Sequence, residues 1–361
     1  MRSSTGKHFV GLDHVRAVAA FTVFSWHFLH VNNGERTPHE GVFSFPLNSL
    51  FAEGHTGVGI FMVLSGYLFA KITDGKEILY PEFLYNRFLR LAPLLIAVFA
   101  IDFVVVLATN PGYADGFLKR LAAGFVLPRW SDGRWSITIE AHFYLIFPLI
   151  MLAESTRRYS SLVLVAAALA IRFWVYLAFG GSAPQDVAYW TILGRIDQFV
   201  FGILFFRYGG ALAGRHVIGI GAILLWILLW QQFDRLGGFY RNEFPSLWIY
   251  LTTLEGLFYG AIIAWYDKSF AFANTGISRM VGKIGEWSYS IYLLHFFFVY
   301  KMAEYINENI TKLDNFYIAM FFDIICFSIV TFIGFLSYTY FEKRFLARRT
   351  VYVRDWAVEK A

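Results

Sequence analysis

The chain has 361 residues, of which 57% are hydrophobic, 20% aromatic and only 16% charged. Soluble domains carry about 25% charged residues, so this composition excludes an ordinary soluble domain and indicates a polytopic membrane protein. The net charge of +5 is spread between apolar segments, which argues against a nucleic-acid partner and for a lipid bilayer as the surroundings. The single cysteine, Cys326, excludes an intramolecular disulfide and a thiolate metal cluster.

Ten apolar segments have the length that a membrane-spanning helix needs, and they predict an all-α fold. In chain order the predicted spans are 13–31, 55–72, 92–109, 136–153, 161–179, 188–206, 216–232, 246–265, 284–302 and 315–340. An even number of spans places both termini on one side of the membrane. The loops on that side hold more than twice as many Lys and Arg residues as the opposite loops, so both termini are expected in the cytoplasm.

The first span carries an arginine and a histidine, Arg16 and His27, at membrane depth, where ionisable groups are costly and mark functional positions. The two residues are eleven positions apart, so their side chains point to the same helix face, ~16 Å apart along the axis. Asp13 precedes Arg16 by three residues. Arg16 is therefore expected either to pair with Asp13 or to face the interior of the helix bundle.

Later spans add further ionisable residues. Arg87 and Arg90, at the cytoplasmic start of the third span, share one helix face because they are three residues apart. Glu140 lies about one turn below the outer end of the fourth span, and His295 lies ~16 Å deep in the ninth. Together with His27, these two residues fall in the middle to outer part of the bilayer, where a shared polar cavity would satisfy them.

The outer loop before the fourth span, LPRWSDGRWS, offers two aromatic platforms for a sugar, Trp130 and Trp135. Anchoring at the membrane interface is the alternative role of these rings. The same loop holds three charged residues: Arg129, Asp132 and Arg134.

Other titratable residues near the outer face do not have the paired spacing of helical metal ligands, so we interpret them as polar surface and expect no metal. They are His30, Glu35, His39, Glu40, Glu53 and His55. Four charged residues inside the predicted spans receive no role from the sequence: Arg172, Arg195, Asp197 and Glu255.

Six segments resemble, in order, the successive signatures of the acyltransferase family 3 membrane proteins, which are bacterial O-acyltransferases of surface and secreted glycans. They are GLDHVRAVAAFTVFSWHF, TGVGIFMVLSGYLF, NRFLRLAP, WSITIEAHFYLIFP, GRIDQFVFGI and GEWSYSIYLLH. The resemblance runs from residue 11 to about residue 340 and implies a ten-helix domain in the bacterial cytoplasmic (inner) membrane. Many relatives carry a fused extracytoplasmic domain. Here residues 1–361 are expected to form a single membrane domain without one.

The resemblance also implies roles for individual residues. Six positions match functional residues of the family: Arg16, His27, Arg87, Arg90, Glu140 and His295. Transfer from a thioester to a hydroxyl needs a base, and histidine has a suitable unperturbed pKa of ~6.5. We hypothesise that His27 is this base and that Glu140 orients or stabilises its imidazole. An acyl-histidine intermediate and a purely structural histidine are the alternatives.

The donor implied by the resemblance is acyl-CoA, usually acetyl-CoA. Arginine suits the phosphates of CoA, so Arg87 and Arg90 are expected to bind the donor, with Arg16 contacting it from inside the bundle. Pairing of the two loop arginines with anionic lipid headgroups is the alternative. His295, Trp130 and Trp135 are expected to contact the acceptor.

The sequence thus predicts a membrane-bound O-acyltransferase that moves an acetyl group from cytoplasmic acetyl-CoA to a glycan or lipid-linked saccharide. A small secondary metabolite or an intracellular lipid-linked precursor is an alternative acceptor. A non-enzymatic transporter or flippase also remains open, because buried charges in a helix bundle can line a transport pathway. No internal inverted repeat supports it, and the sequence does not indicate an oligomeric state.

Overall fold

A computed structural model describes residues 8–30, 37, 47–128, 130, 133–241 and 243–355. These residues form mainly α-helices. The helices are α1 Val10–Leu29, α2 Leu47–Ala52, α3 Gly57–Thr73, α4 Tyr80–Thr109, α5 Ala114–Gly124, α6 Trp135–Thr156, α7 Leu162–Phe179, α8 Ala183–Trp190, α9 Ile192–Tyr208, α10 His216–Arg235, α11 Gly238–Arg241, α12 Leu251–Ser269, α13 Gly276–Glu286, α14 Ser288–Leu294, α15 Val299–Asn309, α16 Phe316–Ser337 and α17 Lys343–Leu346.

Six of the described helical segments are long and apolar enough to cross a membrane: Gly54–Thr73, Tyr80–Thr109, Trp135–Thr156, Leu162–Phe179, His216–Arg235 and Phe316–Leu346. A seventh arises if the pair Ala183–Trp190 and Ile192–Leu212, bent by 48°, counts as one span. The expectation of an all-α, polytopic membrane protein is therefore confirmed. The count of ten spans and the cytoplasmic location of both termini stay predictions.

The ninth predicted span, 284–302, is not one continuous helix. It is divided between α13, α14, a 3₁₀ turn at His295–Phe297 and α15. α13 packs tightly along α1, since a Cβ added at Gly285 would lie 1.8 Å from the Asp13 carbonyl oxygen. The second break falls at His295, whose Nδ1 lies 2.6 Å from the Tyr292 carbonyl oxygen. α14 therefore ends at Leu294, and the turn that follows places the His295 ring beside His27 of α1.

α1 lies at the centre of the bundle, in contact with α3, α13, α14 and α16. Beside it, α3 and α9 pack so closely that each offers the other a glycine. A Cβ added at Gly66 would lie 2.0 Å from the Phe199 carbonyl oxygen, and one at Gly202 would lie 2.1 Å from the Val63 carbonyl oxygen. Small residues that allow two backbones to approach are the usual means of helix association in membranes. This contact fixes the position of α3, which lines both cavities described below.

A buried ion pair joins α7 to α9. Arg172 Nη2 donates to Asp197 Oδ2 at 2.8 Å, and neither side chain is exposed. Arg172 also donates to the Gly194 carbonyl oxygen, and Thr253 of α12 donates to the same Asp197 oxygen. Two of the four charges without a role in the sequence are therefore a structural pair that ties three helices together.

The other two charges lie near the same place. Glu255 accepts hydrogen bonds of 2.6 Å from Thr56 Oγ1 and from Gln198 Nε2. The Arg195 guanidinium lies 4.4 Å from the ring centroid of Tyr189 and donates from Nε to the Tyr189 carbonyl oxygen. Because Tyr189 is part of a cavity wall, Arg195 supports that wall from behind.

A short antiparallel sheet, which the sequence did not predict, pairs β1 (Lys76–Ile78) with β2 (Val353–Asp355). Next to it, Asn86 Nδ2 donates to the Thr350 carbonyl oxygen at 2.6 Å, and the Thr350 N–H donates back to Asn86 Oδ1 at 2.9 Å. These bonds hold the segment after α17 against the beginning of α4, where the paired arginines lie.

Candidate functional site

Two cavities lie next to each other in the bundle. The first, here called the arginine cavity, has a volume of about 120 Å³. Its walls include Arg16, Ser65, Arg87, Arg90, Glu140, Tyr144 and Tyr289. The second, here called the histidine cavity, has a volume of about 240 Å³. Its walls include Trp26, His27, His55, Trp130, Trp135, Tyr189 and Tyr300. The predicted site residues other than His295 are thus divided between the two cavities.

Arg87 is held in the arginine cavity by aromatic rings. Its guanidinium carbon lies 4.8 Å from the ring centroid of Phe69, 5.6 Å from those of Phe83 and Tyr352, and 5.9 Å from that of Tyr144. Its Nε atom is buried and has no hydrogen-bond partner within the described residues. Such a cation–π cage keeps a guanidinium in place without neutralising it, so this charge is available to an anionic ligand.

Arg90 is placed differently, although it lies on the same face of α4. Its Nη1 atom donates to Glu342 Oε2 at 3.1 Å, and its guanidinium carbon lies 5.0 Å from the ring centroid of Tyr289. A third arginine, Arg349, follows α17 in the segment tied to α4. Burial, together with the nearby Arg90 and Arg87 charges, lowers the pKa of Arg349 to about 10. The sequence alone did not indicate this third cation.

Arg16 pairs with Asp13 and also faces the interior of the bundle; its contact with a donor stays a prediction. Its Nη1 atom donates to Asp13 Oδ1 within α1, and its side chain also lines the arginine cavity. Asp13 is further held by His8, whose Nε2 lies 2.9 Å from Asp13 Oδ2. Arg16 is therefore a positioned cation in the same cavity as Arg87 and Arg90.

Glu140 also lies in the arginine cavity. Its Oε1 atom accepts a hydrogen bond from Ser65 Oγ at 3.0 Å and another from Tyr144 Oη. Tyr144 stands four residues after Glu140 on α6, a spacing that could have suggested this contact from sequence. Ser65 comes from α3, and no local pattern points to it.

His27 lies in the histidine cavity, with its Nδ1 atom 2.7 Å from Tyr300 Oη. The ring centroid of Phe296 is 4.5 Å away, and that of His295 is 5.2 Å away. His295 itself is 1% exposed and supports His27 from behind, and its Nε2 atom has no hydrogen-bond partner within the described residues. The sequence analysis predicted that His27 and His295 lie near each other, as they do. It did not indicate that Tyr300 contacts His27.

Trp130 and Trp135 both belong to the wall of the histidine cavity. Their exposed fractions are 6% and 4%, so they are enclosed by protein, which does not fit interfacial anchors. Trp130 Nε1 donates to the Leu121 carbonyl oxygen at 3.0 Å, and Trp135 packs 4.7 Å from Trp190, centroid to centroid. Of the charged residues in the same loop, Arg134 pairs with Asp102, whereas Arg129 and Asp132 lie outside the described residues.

The wall between the cavities contains Val58 and Tyr292, which line both of them. Tyr292 Oη donates to the Gly133 carbonyl oxygen at 2.9 Å and lies 2.7 Å from Ser136 Oγ. Ser136 faces the arginine cavity and Gly133 the histidine cavity. A small cluster of hydrogen bonds thus holds the wall in place.

The wall bears on one expectation. The described residues show no direct contact between Glu140 and His27, so the hypothesis that Glu140 orients or stabilises the His27 imidazole stays a prediction. Glu140 bonds Ser65 and Tyr144 on one side of the wall, while His27 contacts Tyr300 on the other. The sequence could place both residues toward one end of the bundle but could not show the partition between them.

Among the described residues, no group of three His, Cys, Asp or Glu side chains could hold a metal ion. Glu35, His39 and Glu40 lie outside the described residues. His55 and Glu53, interpreted above as polar surface, are instead buried, at 1% and 3% exposure. The side chains of the two cavities, which comprise guanidinium, imidazole, hydroxyl and indole groups, suit an anionic ligand on one side and a hydroxylated ring on the other.

The chain is similar in sequence to a known protein family and to two curated proteins. A family model described as "Acyltransferase domain" matches residues 9–340. Over 173 residues the chain is 28% identical to a Komagataeibacter xylinus protein with the provisional name membrane-bound transacylase BcsY, covering 42% of this chain and 44% of that one. Over 225 residues it is 26% identical to the peptidoglycan O-acetyltransferase OatA of Listeria monocytogenes, covering 53% of this chain and 32% of that one.

The matches therefore span less than half the length of these curated relatives. No solved structure matches the chain significantly. The family model covers nearly the whole sequence, including every residue named above as lining either cavity. The chain belongs to the acyltransferase family 3 proteins.

Proposed function

We propose that the protein transfers an acyl group, normally acetyl, from acyl-CoA to a hydroxyl of a surface or secreted glycan. The observation that carries this proposal is the pair of adjacent cavities with complementary chemistry, one with arginines for a phosphorylated donor and one with histidine and indole groups for a sugar. The membership of an acyltransferase family supports the reaction class. The name of OatA supports a glycan as acceptor and acetyl as the group transferred.

The donor is assigned to the arginine cavity. CoA carries a pyrophosphate and a 3′-phosphate, and guanidinium groups bind such oxygens through paired, charge-assisted hydrogen bonds. Arg87 is the principal phosphate ligand in this proposal because its charge has no carboxylate partner within the described residues. Arg90 and Arg16 add positive charge nearby, although each also pairs with a carboxylate.

The acceptor is assigned to the histidine cavity. Sugar rings stack on flat aromatic side chains, and Trp130 and Trp135 offer such surfaces in the wall that also contains His27. His295 reaches the acceptor only through His27, since its own side chain is packed behind that ring. We therefore assign His295 a positioning role.

His27 is the proposed general base. When its Nδ1–H donates to Tyr300 Oη, Nε2 carries the lone pair that can accept a proton. The acceptor oxygen attacks the thioester carbonyl carbon as His27 takes its proton, the C–S bond then breaks, and the proton passes to the departing CoA thiolate. Tyr300 takes the orienting role that the sequence assigned to Glu140.

The two substrates can meet only where the cavities adjoin, at Tyr292. The proposal therefore includes displacement of Tyr292 when both substrates are bound, so that the thioester reaches His27. Keeping the wall closed at other times would protect the donor from hydrolysis, which is a common use of enclosed active sites.

In this proposal the protein has ten spans, both termini are cytoplasmic and the membrane is the bacterial inner membrane. The excess of Lys and Arg on one set of loops supports that orientation. The arginine cavity would then face the cytoplasm, where acyl-CoA is made, and the histidine cavity would face the opposite side.

The test uses the purified protein in liposomes with radiolabelled acetyl-CoA and cell-envelope glycans of the producing organism, stripped of esters by mild base. We expect labelled ester on the glycan with the wild type and none with His27→Ala. Transport of unmodified substrate without ester formation would contradict the proposal and favour a transporter. Label appearing only on a small metabolite or lipid-linked precursor would replace the acceptor but leave the reaction class.

A further inference from the structure

The histidine cavity contains a second histidine that the proposed mechanism does not use. His55 lies in the 3₁₀ turn immediately before α3 and is 1% exposed. Aromatic rings surround it, with centroids 4.7 Å away for Phe239, 5.3 Å for Trp230 and 5.5 Å for Trp26. It lines the same cavity as His27. The His55 imidazole is therefore surrounded by aromatic rings and borders the cavity proposed for the acceptor.

A buried carboxylate stands beside His55. Glu53 Oε2 lies 3.3 Å from His55 Nε2, which is within ion-pair reach though outside hydrogen-bonding angles. The same oxygen accepts a hydrogen bond of 3.1 Å from the backbone N–H of Phe239. Gly238, with φ of +62°, comes so close that an added Cβ would lie 1.9 Å from Glu53 Oε1. The loop between α10 and α12 is thus shaped around this carboxylate.

Three ring nitrogens in this part of the wall have no hydrogen-bond partner within the described residues: His55 Nδ1, His55 Nε2 and Trp26 Nε1. Of these, only His55 Nε2 faces a carboxylate, that of Glu53. Buried polar atoms are normally paired, and each exception calls for a ligand, a water molecule or another explanation. With the Nε2 proton directed toward Glu53, His55 Nδ1 is an acceptor, while Trp26 Nε1 is a donor. A hydroxyl group can satisfy both kinds of atom.

We propose that His55, held by Glu53, binds a second hydroxyl of the acceptor while His27 acts on the hydroxyl that is acylated. This inference rests on the proposed function and narrows its substrate class to molecules with at least two hydroxyls near each other, as in a sugar ring. Simple alcohols and hydroxylated lipids with one hydroxyl would leave His55 unsatisfied. Sites built around a hydrogen-bonded hydroxyl discriminate strongly against analogues that lack it.

The test compares His55→Leu with His55→Gln in liposomes, using acetyl-CoA and the ester-free cell-envelope glycans as probes. We expect His55→Leu to raise the KM for the glycan about tenfold, as loss of one buried hydrogen bond predicts. The KM for acetyl-CoA should stay unchanged and kcat should change little. His55→Gln, which keeps a hydrogen-bonding group, should recover part of the glycan affinity. His216→Ala is the matched control, because His216 lines neither cavity.

A binding measurement without donor separates recognition from folding. Four tryptophans line the cavity, so glycan titration should change the intrinsic fluorescence, and the midpoint should shift to higher concentration in His55→Leu. If the leucine variant does not fold, Trp26→Phe serves as the second test, because it removes the indole donor and keeps an aromatic ring beside His55. An unchanged glycan KM, or an equal loss for both substrates in each variant, would overturn the inference.

The outcomes also distinguish this inference from the proposed function. If the wild type esterifies none of the glycans, the proposed function fails and the inference fails with it. If the wild type is active and His27→Ala is inactive, while His55→Leu and Trp26→Phe match the wild type, only the role of His55 is wrong.

Discussion

The arginine and histidine cavities share the side chains of Val58 and Tyr292, yet they differ in chemistry. The first gathers three arginines and one glutamate in about 120 Å³. The second, about 240 Å³, is walled mainly by aromatic rings around two histidines. A single polar pore would expose both substrates to the same groups. In the proposed function, the partition lets one helix bundle bind an anion and a neutral polyol within a short distance of each other.

The largest effect is expected for the loss of the proposed general base, His27. We expect His27→Ala to lower kcat by about 10²- to 10⁴-fold, the range that general-base catalysis contributes, because Tyr300 cannot replace the lost imidazole. Acetyl-CoA binding should be unchanged, since His27 lies outside the arginine cavity. Initial rates and equilibrium binding of labelled acetyl-CoA measure the two quantities. A His27→Ala protein that transfers acetyl at the wild-type rate would refute the assignment.

The next effect tests the donor side alone. Arg87→Gln should raise the KM for acetyl-CoA about 10- to 100-fold, as expected for loss of charge-assisted hydrogen bonds. The KM for glycan should not change. Arg215→Gln, which removes an exposed charge, is the control for altered net charge. Equal changes in both KM values would show that the cavities do not bind separate substrates.

Glu140 decides between the sequence hypothesis and the observed partition. Glu140→Gln should loosen Tyr144, one ring of the Arg87 cage, and raise the acetyl-CoA KM about 3- to 10-fold, the range for one hydrogen bond. If Glu140 instead orients His27, kcat will fall nearly as far as in His27→Ala. Steady-state kinetics with each substrate varied in turn distinguishes these results.

The smallest effect concerns the wall itself. Tyr292→Phe removes the hydrogen bonds to Gly133 and Ser136, so the wall should open more readily. We expect acceptor-independent hydrolysis of acetyl-CoA to rise about threefold, in line with a loss of roughly 0.5–1 kcal/mol. Release of labelled acetate without glycan is the measurement. Hydrolysis at the wild-type rate would mean that Tyr292 does not hold the cavities apart.

Sequence reasoning succeeded where information is local. Apolar length predicted an all-α, polytopic membrane protein, and the three-residue spacing predicted that Arg87 and Arg90 share one face of a helix. Both side chains line one cavity. Sequence reasoning failed where helices meet through distant contacts. Nothing near Glu140 in the sequence indicates Ser65, and nothing near His27 indicates Tyr300. The ninth predicted span was apolar enough to be read as one helix, but its packing against α1 and the turn at His295 divide it.

His55 illustrates the same limit. The sequence grouped His55 with nearby charged residues as polar surface. Its burial instead depends on the rings of Trp230, Phe239 and Trp248, from much later in the chain. Composition and periodicity do not record which distant segment covers a residue. The sequence shows that Glu53 is close to His55 along the chain, but it does not show that His55 lines the histidine cavity.

The pairing of β1 with β2 has a consequence for the order of synthesis. Tyr352 reaches the Arg87 guanidinium only because the segment after α17 is fastened to Asn86 and to β1. Ribosomes make that segment after every helix described here. A nascent chain can therefore insert its helices while the Arg87 cage still lacks a ring, and the cage is complete only when translation has passed residue 352.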